Sequence, residues 1–172
     1  MRLSQIDTPR CLLRPASNAD LPAMAQALAD PRFPQRLPLA AMQRNGKLPD
    51  WLHKMRASQT HGAAALWSID LKIGVSCIGQ LGLFDRGDLP PALSFWLAPA
   101  HWGQGLAGEA AAAFLAHAQE QRQLSTLWAS TAQWNLASQH LLAALGFVPC
   151  GQNPAGYLVD GVPEATLEYL LA

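Results

Sequence analysis

The chain has 172 residues, of which 50% are hydrophobic and 14% charged, and its 12 basic and 12 acidic side chains cancel. Such a length and composition fit one packed domain, residues 1–172, that buries roughly 70% of its unfolded surface, and they exclude an extended disordered chain. Zero net charge without a basic stripe excludes a phosphate-tracking nucleic-acid binder, and no stretch approaches the ~20 apolar residues of a membrane helix.

Arg10–Arg14 is a short apolar stretch closed by Pro15 and reads as a first strand. Ser17, Asn18 and Asp20 supply capping side chains for a helix over Leu21–Leu28, which Asp30-Pro31 stops. Pro31–Gly46 is rich in Pro, Arg and Gln without a sustained period and reads as a loop with one turn of helix. A second helix is expected over Leu48–Ser58, with Trp51, Leu52 and Met55 on one face. Ala64–Leu71 and Val75–Phe84 form a hairpin around Lys72-Ile73-Gly74. Asp85–Pro91 has loop composition, Ala92–Leu97 is a further strand, and a glycine-rich turn then leads into a helix over Leu106–Gln121. The remainder reads as a strand (Ser125–Thr131), a helix (Asn135–Leu145) ended by Gly146, and two strands (Phe147–Cys150 and Val162–Leu171) around a turn at Asn153–Gly161. The sum is a mixed α+β domain.

The turn Trp102-Gly103-Gln104-Gly105-Leu106-Ala107-Gly108-Glu109 carries the first chemistry. A helix start leaves N–H groups unpartnered and concentrates partial positive charge, and glycines let a ligand approach the backbone closely. The product is an anion site suited to a pyrophosphate, although a tight strand-to-helix turn explains the glycines equally well. No Lys-Ser or Lys-Thr follows them, as a Walker loop requires, and the third glycine of a dinucleotide fingerprint is missing.

With these residues in place, the sequence resembles the GNAT N-acetyltransferases, and within them the RimJ/RimL-like branch. Trp102–Ala107 is similar to the family's Gln/Arg-x-x-Gly-x-Gly/Ala motif, with Trp102 at the usual Gln or Arg position, as is common in that branch. Thr8–Pro15 with Asn18–Leu21, then Ala92–Leu97, then Asn135–Ser138 with Leu145–Phe147 are similar to three further family segments in the same order. The resemblance implies an α+β GNAT fold. In it, a mostly antiparallel sheet of six to seven strands splays between strands four and five and is flanked by about four helices. It also implies acetyl-CoA as co-substrate, no metal, and an amine acceptor that is a peptide N-terminus or a small molecule.

The family's pantetheine-binding amides would fall at Trp96 and Leu97, and Trp102, Gly103, Gln104, Gly105, Leu106, Ala107 and Gly108 would surround the pyrophosphate. By the same resemblance Asn135 would bond the pantetheine arm, and Ser138 would donate to the leaving thiolate. Spacing alone explains that pair as a helix cap and its neighbour. Many relatives have a Glu where Ala92 stands, so the general base is open: Asp85, Asp88, Glu164 and Glu168 are nearby, each also readable as a solvated charge. A non-catalytic acyl-CoA-binding module is the competing reading.

Cys11, Cys77 and Cys150 have neither zinc-site nor redox-motif spacing and match no family nucleophile, so they read as reduced thiols of a cytoplasmic protein. Met1–Ser17 lacks the apolar centre of a signal peptide. The five histidines form no metal-binding pair, and His140 reads as surface or cofactor-proximal. A monomer or homodimer without nucleic-acid or membrane partners is expected. The loop Pro31–Gly46 is expected to shape the acceptor pocket, and its Arg32, Arg36 and Arg44, with the adjoining Lys47, weakly disfavour a polycationic acceptor.

Overall fold

In a computed structural model of the protein, residues 5–122 and 126–172 are described. They form strands β1 (Ile6–Asp7), β2 (Cys11–Pro15), β3 (Ala64–Leu71), β4 (Val75–Arg86), β5 (Leu89–Leu97), β6 (Leu127–Ala132), β7 (Val148–Val159) and β8 (Val162–Leu171). The helices are α1 (Leu21–Ala29), α2 (Pro38–Arg44), α3 (Leu48–Thr60), α4 (Leu106–Arg122) and α5 (Leu136–Ala144). The sheet runs β1-β2-β3-β4-β5-β6-β8-β7. Every neighbouring pair is antiparallel except β5 and β6, which are parallel and meet at the single pair Ala92↔Trp128. Beyond that pair the two strands separate, which is the expected splay.

Strand alternation gives the sheet two apolar faces. Leu81, Leu83, Leu93 and Leu97 face α4 and α5 and pack with Ala110, Ala111, Phe114 and Leu142. The alanines of α4 let the helix lie close to the sheet, and Phe114 meets Trp67 edge-on at 4.9 Å. Leu66 and Trp96 face α1–α3 and pack with Met24, Leu28, Phe33, Leu48 and Leu52.

A polar line crosses that second core. Arg14 pairs with Asp20 and Asp70, each at 2.7 Å. The Ser68 hydroxyl donates to Asp20, the Gln80 amide donates to Ser68, and the Trp96 indole donates to Gln80 Oε1 at 3.2 Å. Burial alone would raise the Asp20 pKa, but the bonds from Arg14, the Ser17 N–H and Ser68 outweigh it and hold the carboxyl below its usual range.

Four expectations are corrected. The sheet exceeds six to seven strands because β1 adds a two-residue strand too short to leave a pattern. Pro31–Gly46 holds the two-turn α2, with Pro38 at its first turn, where a missing N–H costs nothing, and Ala40 and Ala41 buried. The loop over Asp85–Pro91 shrinks to Gly87-Asp88, because β4 and β5 extend to meet there. The turn over Asn153–Gly161 shrinks to Asp160-Gly161, where both φ are positive (49° and 81°), as a type I′ hairpin needs. Asn153 to Tyr157 is instead a bulge inside β7. The expected strand Ser125–Thr131 begins at Leu127, and Ser125 lies outside the described residues.

Candidate active site

The site begins where β5 ends. After Leu97, a short 3-10 turn (Pro99–His101) leads to Gly103 and Gly105, whose φ of +73° and +74° are left-handed values that strain a residue bearing Cβ. The first backbone bond of α4 runs from Glu109 N–H to the Gly105 carbonyl at 3.1 Å. The N–H groups of Leu106, Ala107 and Gly108 therefore precede the helical ladder at the positive end of a 17-residue helix. At Gly108 an added Cβ would make only ordinary contact with Leu141, at 3.8 Å.

The turn is strapped from behind. Glu109 accepts from the Thr8 hydroxyl (2.7 Å), the Arg10 N–H (2.8 Å) and Arg10 Nε (2.7 Å). These bonds, Thr8's first among them, lower its pKa to about 2. Arg10 also donates to the Gln104 carbonyl at 2.8 Å. Glu109 is thus turned toward β2, away from the anion site. The Gln104 side chain reaches back to the Ala100 carbonyl at 3.4 Å and does not line the cleft.

From this turn a cleft of about 870 Å³ runs between β5 and β6. Trp96, Leu97, Trp102, Gly103, Gly105, Leu106, Ala107, Gly108, Asn135 and Ser138 all border it, so of the expected site residues only Gln104 stands outside. The amide assignment needs a correction at Trp96. Ala98 N–H donates to the Ile78 carbonyl across the β4 ladder (2.7 Å), and Trp96 pairs with Gln80 two residues earlier. Antiparallel alternation therefore turns the Trp96 amide toward β4 and those of Phe95 and Leu97 toward the open edge. Trp96 contributes its ring instead, edge-on to Phe33 at 6.3 Å.

Asn135 caps α5, its Oδ1 accepting from Ser138 N–H at 3.2 Å. Both residues are half-buried on the β6 side of the opening. His140 is exposed and does not border the cleft.

None of the four carboxylates considered as bases lines the cleft. Asp85 and Asp88 are exposed beside the β4–β5 turn, and Glu168 lies on β8. Glu164 is not a solvated charge: it is 4% exposed. It accepts from Arg36 at 2.6 and 2.8 Å and from the Trp134 indole at 3.1 Å, and Arg36 holds its pKa down. The arginines between α1 and the end of α2 are likewise engaged: Arg32 with Asp30 (2.7 Å), Arg36 with Glu164, and Arg44 with Asp160 (2.6 Å).

Two cleft hydroxyls escaped the sequence reading. The hydroxyls of Tyr157 and Thr131 are buried at the cleft without a protein partner. Burial, then the Glu164 charge, pushes the Tyr157 pKa up to about 12, so its hydroxyl stays protonated. The sequence signal was a lone aromatic residue after Asn-Pro-Ala-Gly; the bulge that places it could not be read there.

Residues 10–148 match the family model described as the Acetyltransferase (GNAT) domain. The chain belongs to the GNAT acetyltransferase family. It is accordingly an acyl-CoA-dependent N-acetyltransferase. Solved structures similar to this GNAT enzyme include Mycobacterium smegmatis RimJ in complex with CoA-disulfide (TM-score 0.81, 24% identity, 98% of this chain and 86% of that one). A RimL ribosomal L7/L12 α-N-protein acetyltransferase in complex with coenzyme A has TM-score 0.84 at 16% identity, over 98% and 97% of the two chains. A spermidine N-acetyltransferase chimera from Vibrio cholerae and hSSAT has TM-score 0.75 at 18% identity, over 94% of each. Among the described residues of this GNAT enzyme, no helix is long and apolar enough to cross a membrane, and no group of three or more His, Cys, Asp or Glu could hold a metal.

Proposed function

We propose that the protein, acting in the cytoplasm as one domain over residues 1–172, transfers the acetyl group of acetyl-CoA directly to a primary amine within a ternary complex. The observation that carries this reading is the opening of the sheet beyond Ala92↔Trp128, with the anion-binding turn at its far end and the Asn135–Ser138 helix start on its opposite bank. That arrangement matches an extended molecule with phosphates at one end and a thioester at the other.

In this reading the pyrophosphate lies against the N–H groups of Leu106, Ala107 and Gly108, within the turn shaped by Trp102, Gly103, Gln104 and Gly105. The pantetheine arm follows β5, where the Leu97 N–H and the Asn135 side-chain amide bond it. An open-edge N–H of β5 polarises the thioester carbonyl and stabilises the negative charge that develops on its oxygen. The acceptor nitrogen attacks the carbonyl carbon, a C–N bond forms and the C–S bond breaks. The departing thiolate takes a proton from the Ser138 hydroxyl, which regains one from solvent, and the proton shed by nitrogen passes to water.

Thiol release from acetyl-CoA across an amine panel, beside calorimetric titration with acetyl-CoA, tests the reading. Micromolar binding with amine-dependent thiol release is expected. Absence of binding would sink the cofactor site, and binding without release on any amine would sink the transfer.

A further inference from the structure

On the α1–α3 face of the sheet, the cleft wall is apolar and aromatic. Phe33, Leu37 and Met42 come from the α1–α2 region, Trp51 from α3, Phe84 from β4 and Trp128 from β6. No carboxylate among the described residues borders the cleft. The charges that do approach this wall are cationic: Arg32 lines it, and the Arg86 guanidinium lies 3.9 Å from the Trp128 ring centroid. The nearest buried acid, Glu164, is consumed by Arg36 and Trp134. An ammonium group entering here would find no carboxylate among the described residues of the cleft lining, so desolvation favours its neutral form; Asp30 offsets the charge of Arg32, and Arg86 over Trp128 opposes a second cation. One polar group on β7 has no protein partner: the buried Tyr157 hydroxyl.

From this wall we infer that the acceptor is a weakly basic primary amine borne on a large apolar, aromatic-sized body, with Tyr157 Oη as its hydrogen-bond anchor. The inference rests on the acetyl transfer proposed above and specifies its second substrate. Basicity decides between amine classes because, among the described residues, no carboxylate borders the cleft to take the proton, and the one histidine that borders it, His101, stands in the turn after β5 at the glycine-turn end. At pH 7 an α-amine with pKa about 8 is about one-tenth neutral, whereas an alkylamine near 10.4 is neutral in about one molecule of 2,500. That difference alone is about 200-fold. The shared chemistry is met equally by a small amine and by a peptide whose first residue is aromatic.

The test compares phenylalaninamide and a phenylalanine-led tripeptide amide with spermidine and a lysine side-chain amine, on the intact protein with saturating acetyl-CoA. The apolar pair is expected to exceed the cationic pair in kcat/KM by at least about 200-fold, with a pH profile that tracks the amine's own ionisation. Preference for the peptide assigns the site to chain N-termini, and preference for phenylalaninamide to small amines. Tyr157→Phe should raise KM for phenylalaninamide several-fold and leave acetyl-CoA affinity unchanged; an unmoved KM removes Tyr157 from the anchor. Turnover on spermidine or lysine but not on the apolar amines overturns the inference and leaves acetyl transfer standing. No turnover on any amine, with acetyl-CoA bound, overturns both.

Discussion

The indole Nε1 of Trp102 donates a 2.7 Å hydrogen bond to the main-chain carbonyl of Leu97. It joins the glycine turn to the last residue of β5, the two elements on which the proposed cofactor site depends. The family's more usual Gln or Arg is absent at this position, and the bond gives the substitution a structural use. Trp102→Phe keeps the ring and deletes the donor. Loss of one such bond, worth about 1 kcal/mol, should weaken acetyl-CoA binding about fivefold by calorimetry. An unchanged affinity would show that the turn holds its shape without the bond.

Glu109 supplies a pH signature. Its folded pKa, lowered to about 2 from 4.5 by Thr8 and Arg10, stabilises the fold fully above the unfolded value. That contribution is lost as pH falls through the window from about 4.5 to 2. Thermal unfolding between pH 6 and pH 3 should therefore show a smaller loss of Tm in Glu109→Gln than in the wild type. Parallel curves for the two proteins would contradict this role.

In the proposed reaction Ser138 acts on the leaving thiolate, which separates its expected effect from cofactor affinity. Ser138→Ala removes the hydroxyl but not the N–H that Asn135 caps. Turnover should fall by about 100-fold, in the range of general acid catalysis, with acetyl-CoA affinity within about twofold. If turnover persists while chemistry limits the rate, the thiolate takes its proton elsewhere.

Ala92 borders the cleft at the one point where β5 and β6 meet. Ala92→Glu would add the missing carboxylate. Relative activity on basic amines should rise about tenfold through ion pairing and base catalysis, and the pH profile should gain an acidic limb. A substrate ranking identical to that of the wild type would mean that the added group does not reach the acceptor nitrogen.

The central strands and long helices were legible because their signals are local. Ala64–Leu71 is observed with the bounds its apolar run predicts, and Gly146 follows α5 at φ +88°, as a left-handed cap requires. The glycine turn was legible for the same reason. What escaped depends on partners distant in sequence. Val148–Val159 contains Pro, Gly and Asn yet is strand, because β8 supplies a ladder on one side and the bulge absorbs the extra residues. Which amide of β5 faces outward is set by register with β4, which no single stretch encodes. Glu164 looked like a surface acid because its three bonds come from Arg36 and Trp134, 128 and 30 residues away.

The same long-range pairs have a practical side. Arg36 to Glu164 and Arg44 with Asn45 to Asp160 fasten the α1–α2 segment to the β7–β8 hairpin. Arg44 and Asp160 are both open to solvent, where such a latch holds weakly and electrolyte loosens it, whereas Arg36 grips a buried carboxylate with two bonds and is screened less. The two clasped segments carry Leu37, Met42 and Tyr157 of the cleft wall. Buffer ionic strength thus becomes a handle on the mouth that Arg44 and Asp160 hold; at the opposite mouth the Trp102–Leu97 bond is indifferent to salt, while the half-exposed Arg10–Glu109 pair is not.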